Sequence, residues 1–131
     1  MKLINLYELE GMIIGDGINE REIKLYASPE SDISRENFAL GLTIIKPGQV
    51  HETHSHIGNQ EIIYVNKGDG IAIVENYKGT HEFRIRENHI LSLDYNEAHS
   101  FINDGKEDLE LLWIYSPSGV ADEKFLIRTQ K

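Results

Sequence analysis

The sequence predicts an all-β fold, a sandwich or barrel of short strands with an amino-terminal extension. Three observations lead there. No stretch of useful length carries the 3.6-residue apolar period of a helix. Apolar segments of five to eight residues recur along the chain instead. Between them stand glycine, asparagine and aspartate, residues that tolerate the positive φ of tight turns.

Residues 1–35 form the extension. Gly15-Asp16-Gly17 and Ser28-Pro29-Glu30-Ser31 punctuate it, and Arg21 to Ala27 is its candidate strand, read as an extra strand or arm ahead of the barrel. The barrel occupies residues 36–131 of the same domain. Its strands are predicted at Phe38 to Ile45, Val50 to His56, Glu61 to Asn66, Ile71 to Tyr77, His81 to Arg86, His89 to Leu93, His99 to Asn103 and Leu109 to Tyr115. Pro47-Gly48, Ile57-Gly58-Asn59, Gly68-Asp69-Gly70, Lys78-Gly79, Glu87-Asn88 and Asp104-Gly105 mark turns between them.

The alternation is clearest in His81 to Arg86, where His81, Phe83 and Ile85 share a face opposite Glu82, Arg84 and Arg86. By contrast, Glu61 to Val65 and Leu109 to Tyr115 are apolar on both faces and need cover on two sides. A second sheet supplies one cover. The amino-terminal segment or another subunit supplies the other, which is the ground for expecting a homodimer. No internal repeat, low-complexity tract or linker divides the chain.

Hydrophobic residues make up 40% and charged residues 27%, the balance of a globular protein rather than a disordered one. The absence of cysteine excludes a disulfide framework and a thiolate metal site, and suits a reducing compartment. Acidic residues outnumber basic ones 22 to 13, and a net charge of −9 repels polyanions, so nucleic acid is not an expected partner. No apolar run approaches the roughly 18 residues of a membrane span. The first eight residues are broken by polar ones and do not read as a signal peptide, so cytoplasm is the expected address.

His54 and His56 carry the chemistry. Residues two apart on a strand point the same way, so both imidazoles project from one face. A short turn containing Gly58 separates them from Glu61, and a hairpin returns that carboxylate beside them. His99, far along the chain, supplies a third imidazole. Three neutral nitrogens and one carboxylate oxygen suit a borderline divalent ion, Mn, Fe, Co, Ni, Cu or Zn. The lack of sulfur argues against a purely structural zinc.

The order of these residues resembles the cupin superfamily. Gly48, five residues, His54-Ser55-His56, four residues, Glu61, six residues and Gly68 fit the first cupin motif at every defined position. The second motif is met in part, by His99, three residues and Asn103. Asn88, Asp94 and Asn96 stand where that motif usually shows glycine, proline and glycine. The resemblance spans about residues 38–116. It implies a double-stranded β-helix, a small jelly-roll barrel, with His54, His56, Glu61 and His99 as ligands of one metal ion.

The remaining candidates are less defined. His51 stands three before His54, on the opposite face of a regular strand unless a bulge redirects it. His81 and His89 read as packed, hydrogen-bonded residues. Phe101, Ile63 and Val65 share faces with ligands and read as core or pocket wall. Asn103 either orients a ligand or satisfies the Asp104-Gly105 turn. No phosphate loop, nucleophile elbow or helix-turn-helix is present.

Two functions compete. A metal-dependent enzyme would act on a small oxygenated metabolite, a sugar acid or keto acid, by isomerase, lyase or dioxygenase chemistry. A non-catalytic module would capture a carbohydrate or other small ligand in the same pocket. A structural or storage role is a third reading and requires an occluded pocket.

Overall fold

The computed structural model describes residues 1–54, 58–94, 97–118 and 121–122. Their strands are β1 (Met12–Ile14), β2 (Arg21–Ser28), β3 (Ile33–Ser34), β4 (Ala39–Ile45), β5 (Val50–His54) and β6 (Gln60–Lys67). They continue as β7 (Asp69–Asn76), β8 (Gly79–Arg86), β9 (Ile90–Leu93), β10 (Ala98–Ile102) and β11 (Leu109–Ser116). A short 3₁₀ turn at Gly17–Asn19 links β1 to β2. The larger sheet runs β1-β2-β4-β11-β6-β9, with β3 beside β2, and the smaller runs β5-β10-β7-β8. From β4 onward the chain passes back and forth between the sheets, the path of a jelly roll.

Alternation along the strands builds the core between the sheets. Ile63 and Val65 of β6, Leu111 and Trp113 of β11, and Ile23 and Leu25 of β2 face inward and meet Ala72, Ile85 and Phe101 of the smaller sheet. Each fully buried aliphatic side chain contributes about 1.5–3 kcal/mol. At Gly41 the strand gives up its side chain: a Cβ there would lie 2.2 Å from the Trp113 ring, and Trp113 is its cross-strand partner.

The segment before the barrel is more than an arm. β2 delivers Ile23 and Leu25 to the core and buries Ala27, and β1 and β3 pair with it. The first eleven residues then cross the outer face of the larger sheet. Leu6 and Leu9 pack there against Tyr26, Leu42 and Ile44, alongside Leu112. The Tyr26 hydroxyl donates to the Leu6 carbonyl at 2.6 Å and Lys24 Nζ to the Leu9 carbonyl at 2.8 Å. The Tyr7 hydroxyl donates to Glu110 at 2.7 Å, which satisfies a buried carboxylate.

One face departs from expectation. Ile85 is buried but Phe83 is 54% exposed, and His81 is exposed, because β8 forms the outer edge of the smaller sheet. His89 is also exposed, though its ring accepts the Arg86 backbone N–H at 3.0 Å. At two positions that the cupin motifs mark for glycine, the backbone is left-handed. Gly68 has φ +81°, and a Cβ there would stand 2.4 Å from the Asp108 carbonyl. Asn88 replaces the other glycine at φ +72°, a conformation asparagine tolerates.

Candidate metal centre

β5, β6 and β10 bring three of the four expected ligands together at one end of the barrel interior. One donor atom from each of His54, Glu61 and His99 lies within 4.8 Å of the others. His99 Nε2 stands 3.4 Å from Glu61 Oε1. His54 and His99 are direct cross-strand partners, and their ring centroids are 4.2 Å apart. His56, the fourth expected ligand, lies outside the described residues.

Donor chemistry and spacing both fit a divalent ion. Donors about 2.1 Å from one ion stand at most about 4.2 Å apart, so a small contraction of the cluster closes a coordination shell. The His99 Nδ1 edge lies 3.2 Å from the Glu97 carbonyl and the His54 Nδ1 edge 3.4 Å from that of Glu52. Those carbonyls favour the Nδ1–H tautomer and leave Nε2 as the donor to a metal. Glu61 and His99 are almost fully buried, and a buried carboxylate among imidazoles is costly unless a cation joins them.

His51 is not where a regular strand would put it. β10 advances two residues from His99 to Phe101 while β5 advances three from His54 to His51, and this bulge returns His51 to the interior face. Its ring stacks on His54 at 4.3 Å and meets the edge of Phe101 at 5.9 Å. Burial, reinforced by the Arg21 guanidinium, pushes the His51 imidazole down to about 3, so it is neutral at physiological pH.

The cluster opens into a cavity of about 200 Å³ whose wall includes Ile14, Ile63, Phe101, Trp113, Tyr115 and Arg21. That volume is below the roughly 300–1,000 Å³ of sites for drug-sized ligands, so the cavity suits a small metabolite. Trp113 and Tyr115 stack at 5.1 Å, and Trp113 Nε1 donates to Thr43 at 2.9 Å. Burial, with the Glu61 carboxylate nearby, raises the Tyr115 phenol above its ordinary range. Of the three residues read as core or pocket wall, Ile63 and Phe101 line the cavity and Val65 lies deeper in the core. Asn103 serves the turn: its amide donates to the Ile45 and Glu107 carbonyls, and its oxygen accepts from the Gly105 N–H.

Arg21, Trp113 and Tyr115 were not foreseen as site residues. Their signal was position: Arg21 ends the inward row Leu25-Ile23-Arg21, and Trp113 and Tyr115 extend the inward row from Leu111.

The fold agrees with comparison to known proteins. The family model for the cupin domain matches residues 41–115, more than half of the chain. The chain belongs to the cupin family. A predicted oxalate decarboxylase from Thermotoga maritima has a similar structure, with a TM-score of 0.75 at 23% identity over 88% of this chain and 99% of that one. KdgF from Halomonas sp. gives 0.66 at 16% identity over 82% and 87%, and hazelnut (Corylus avellana) vicilin gives 0.69 at 17% over 87% and 32%. Likenesses at these identities show the fold alone. No curated protein matches the chain in sequence.

Proposed function

We propose that this protein is a metal-dependent enzyme acting on a small oxygenated metabolite, a sugar acid or keto acid, with His54, His56, Glu61 and His99 holding one divalent ion. The observation that carries this reading is the cluster of half-buried His54 with buried Glu61 and His99 at the edge of a small cavity. When bound, such an ion supplies a Lewis acid that polarises an oxygen of the ligand. The protein's residues do the rest. The Glu52 and Glu97 carbonyls orient the two imidazoles, Glu61 lowers the net positive charge, and Ile63, Phe101 and Trp113 keep bulk water from the ligand. Isomerase, lyase and dioxygenase chemistries all begin from this arrangement. A structural neighbour described as a predicted oxalate decarboxylase fits the class without fixing the reaction.

A second reading, a binding module without turnover, has its own observation. Burial holds two ionisable groups of the wall in their neutral forms, shifting the pKa of His51 downward and that of Tyr115 upward, which weakens both as proton carriers near neutral pH. Glu61→Gln separates the readings, because it nearly preserves shape while removing one negative charge beside the ion. Metal-loaded protein is incubated with sugar acids, keto acids and catechols, with and without oxygen. An enzyme forms product and changes its turnover in Glu61→Gln at saturating metal. Calorimetric binding with no conversion of any bound compound overturns the enzyme reading in favour of the binder.

A homodimer belongs to the same proposal. The arm covers only part of the larger sheet's outer face. Ile62 and its cross-strand partner Ile114 remain 43% and 37% exposed, and Ile90 on the neighbouring strand is 70% exposed. A second copy is the cover proposed for this strip. Residues 1–35 and 36–131 are proposed to fold as one unit, and cytoplasm remains the proposed compartment, which cell fractionation tests.

A further inference from the structure

We propose that Arg21 is the anion-recognising residue of this cavity and that the ligand it selects carries a carboxylate, bound at the opposite end from its metal-facing oxygens. The inference deepens the proposed function and rests on its reading of the cavity as a ligand site. Among the described residues lining that cavity, Arg21 is the only lysine or arginine. Its side chain is nine-tenths buried. One nitrogen, Nη1, donates to the Asn19 carbonyl at 3.0 Å, but Nε is buried with no hydrogen-bond partner. Among the described residues, Glu52 is the one carboxylate within 4.0 Å. It stands 3.9 Å away with its side chain 58% exposed, too far for a hydrogen bond and too wet to neutralise the guanidinium.

A buried charge with an unsatisfied donor is costly, and natural sites retain one where a ligand completes it. The side edge of a guanidinium, Nε with Nη2, takes a carboxylate through two parallel hydrogen bonds. Local structure holds the group in place. Gly15, at φ +77°, lets the turn fold so closely that a Cβ there would lie 3.2 Å from Arg21 Nη1. This turn and Arg21 belong to the amino-terminal extension, outside residues 41–115 that match the family model. The chain therefore adds its own selectivity to a shared metal centre. A protein with a net charge of −9 repels anions at long range, so a buried cation in its cavity makes recognition local.

Calorimetry with pyruvate against pyruvamide, and with glucuronate against glucose, tests the assignment on protein with and without Mn(II). Wild type should bind at least one of the acids tenfold or more tighter than its neutral analogue. Arg21→Gln should erase that preference while retaining metal and melting temperature, and Arg21→Lys, which keeps the charge without the fork, should retain part of it. Equal binding of acid and neutral compound by wild type, no binding of either, or an unchanged preference in both variants overturns the proposal. Loss of metal affinity in wild type is a separate failure, that of the metal reading. An acid preference that persists without Mn(II) and disappears in Arg21→Gln still supports Arg21.

Discussion

His54 and His99 are oriented by carbonyls two residues behind them, a local device that needs no partner from elsewhere in the chain. It leaves one ring nitrogen of each histidine toward Glu61, and coordination requires that nitrogen unprotonated. Acidification should therefore release the ion, as protons compete for His54, His56 and His99. Metal content measured after equilibration across pH checks this, and occupancy that stays flat to strongly acidic pH would show that histidines are not the ligands. The convergence of His54, Glu61 and His99 was legible from the motif spacing, but its route was not: β5 and β6 lie in different sheets rather than forming the expected hairpin, and Glu61 meets the histidines across the barrel interior. The place of His51 was not legible. The bulge that turns it inward is set by pairing with β10, some fifty residues away, and nothing in Val50 to His54 announces it. Asn103 was half legible: its turn and its ligand-orienting role were both open, and its bonds to Ile45, Glu107 and Gly105 decide for the turn.

The nine strands expected from alternation and turn residues all form, with ends shifted by one or two residues where those ends are described. β1 and β3 escaped because three and two residues are too few to show a period of two. Sequence also could not show which strands pair side by side, and Gly41 illustrates the consequence. As a glycine within an apolar strand it marks a close approach, and the partner proves to be the Trp113 ring, part of the cavity wall. Gly41→Ala forces that ring to move. It should destabilise the fold by about 1–3 kcal/mol, the range for overpacking a core, and weaken ligand binding by distorting the wall. Chemical denaturation with tryptophan fluorescence reports both effects, since this is the protein's one tryptophan. An unchanged midpoint and spectrum would contradict the packing described.

At the scale of the whole molecule, the apolar two-faced strands foretold that the larger sheet needs cover on its outer side. The arm provides part of it through Leu6 and Leu9, while Ile62, Ile90 and Ile114 stay open to solvent. Light scattering at micromolar concentration should report a dimer that Ile62→Lys dissociates, and wild type found only as monomer would remove the claim. The proposed division of labour follows: one face for association, the barrel interior for chemistry, and the extension packed against the larger sheet. The claim on which the account depends most is the metal centre. Elemental analysis paired with calorimetric titration, on wild type and on the His54→Ala, His99→Ala double variant, tests it most directly. Wild type should bind one divalent ion per chain, and at a hundredfold over its dissociation constant the ion should add about 2.7 kcal/mol of stability that a chelator removes. The double variant should keep its β-rich spectrum and lose the ion, whereas near-stoichiometric metal retained by that variant would contradict the account.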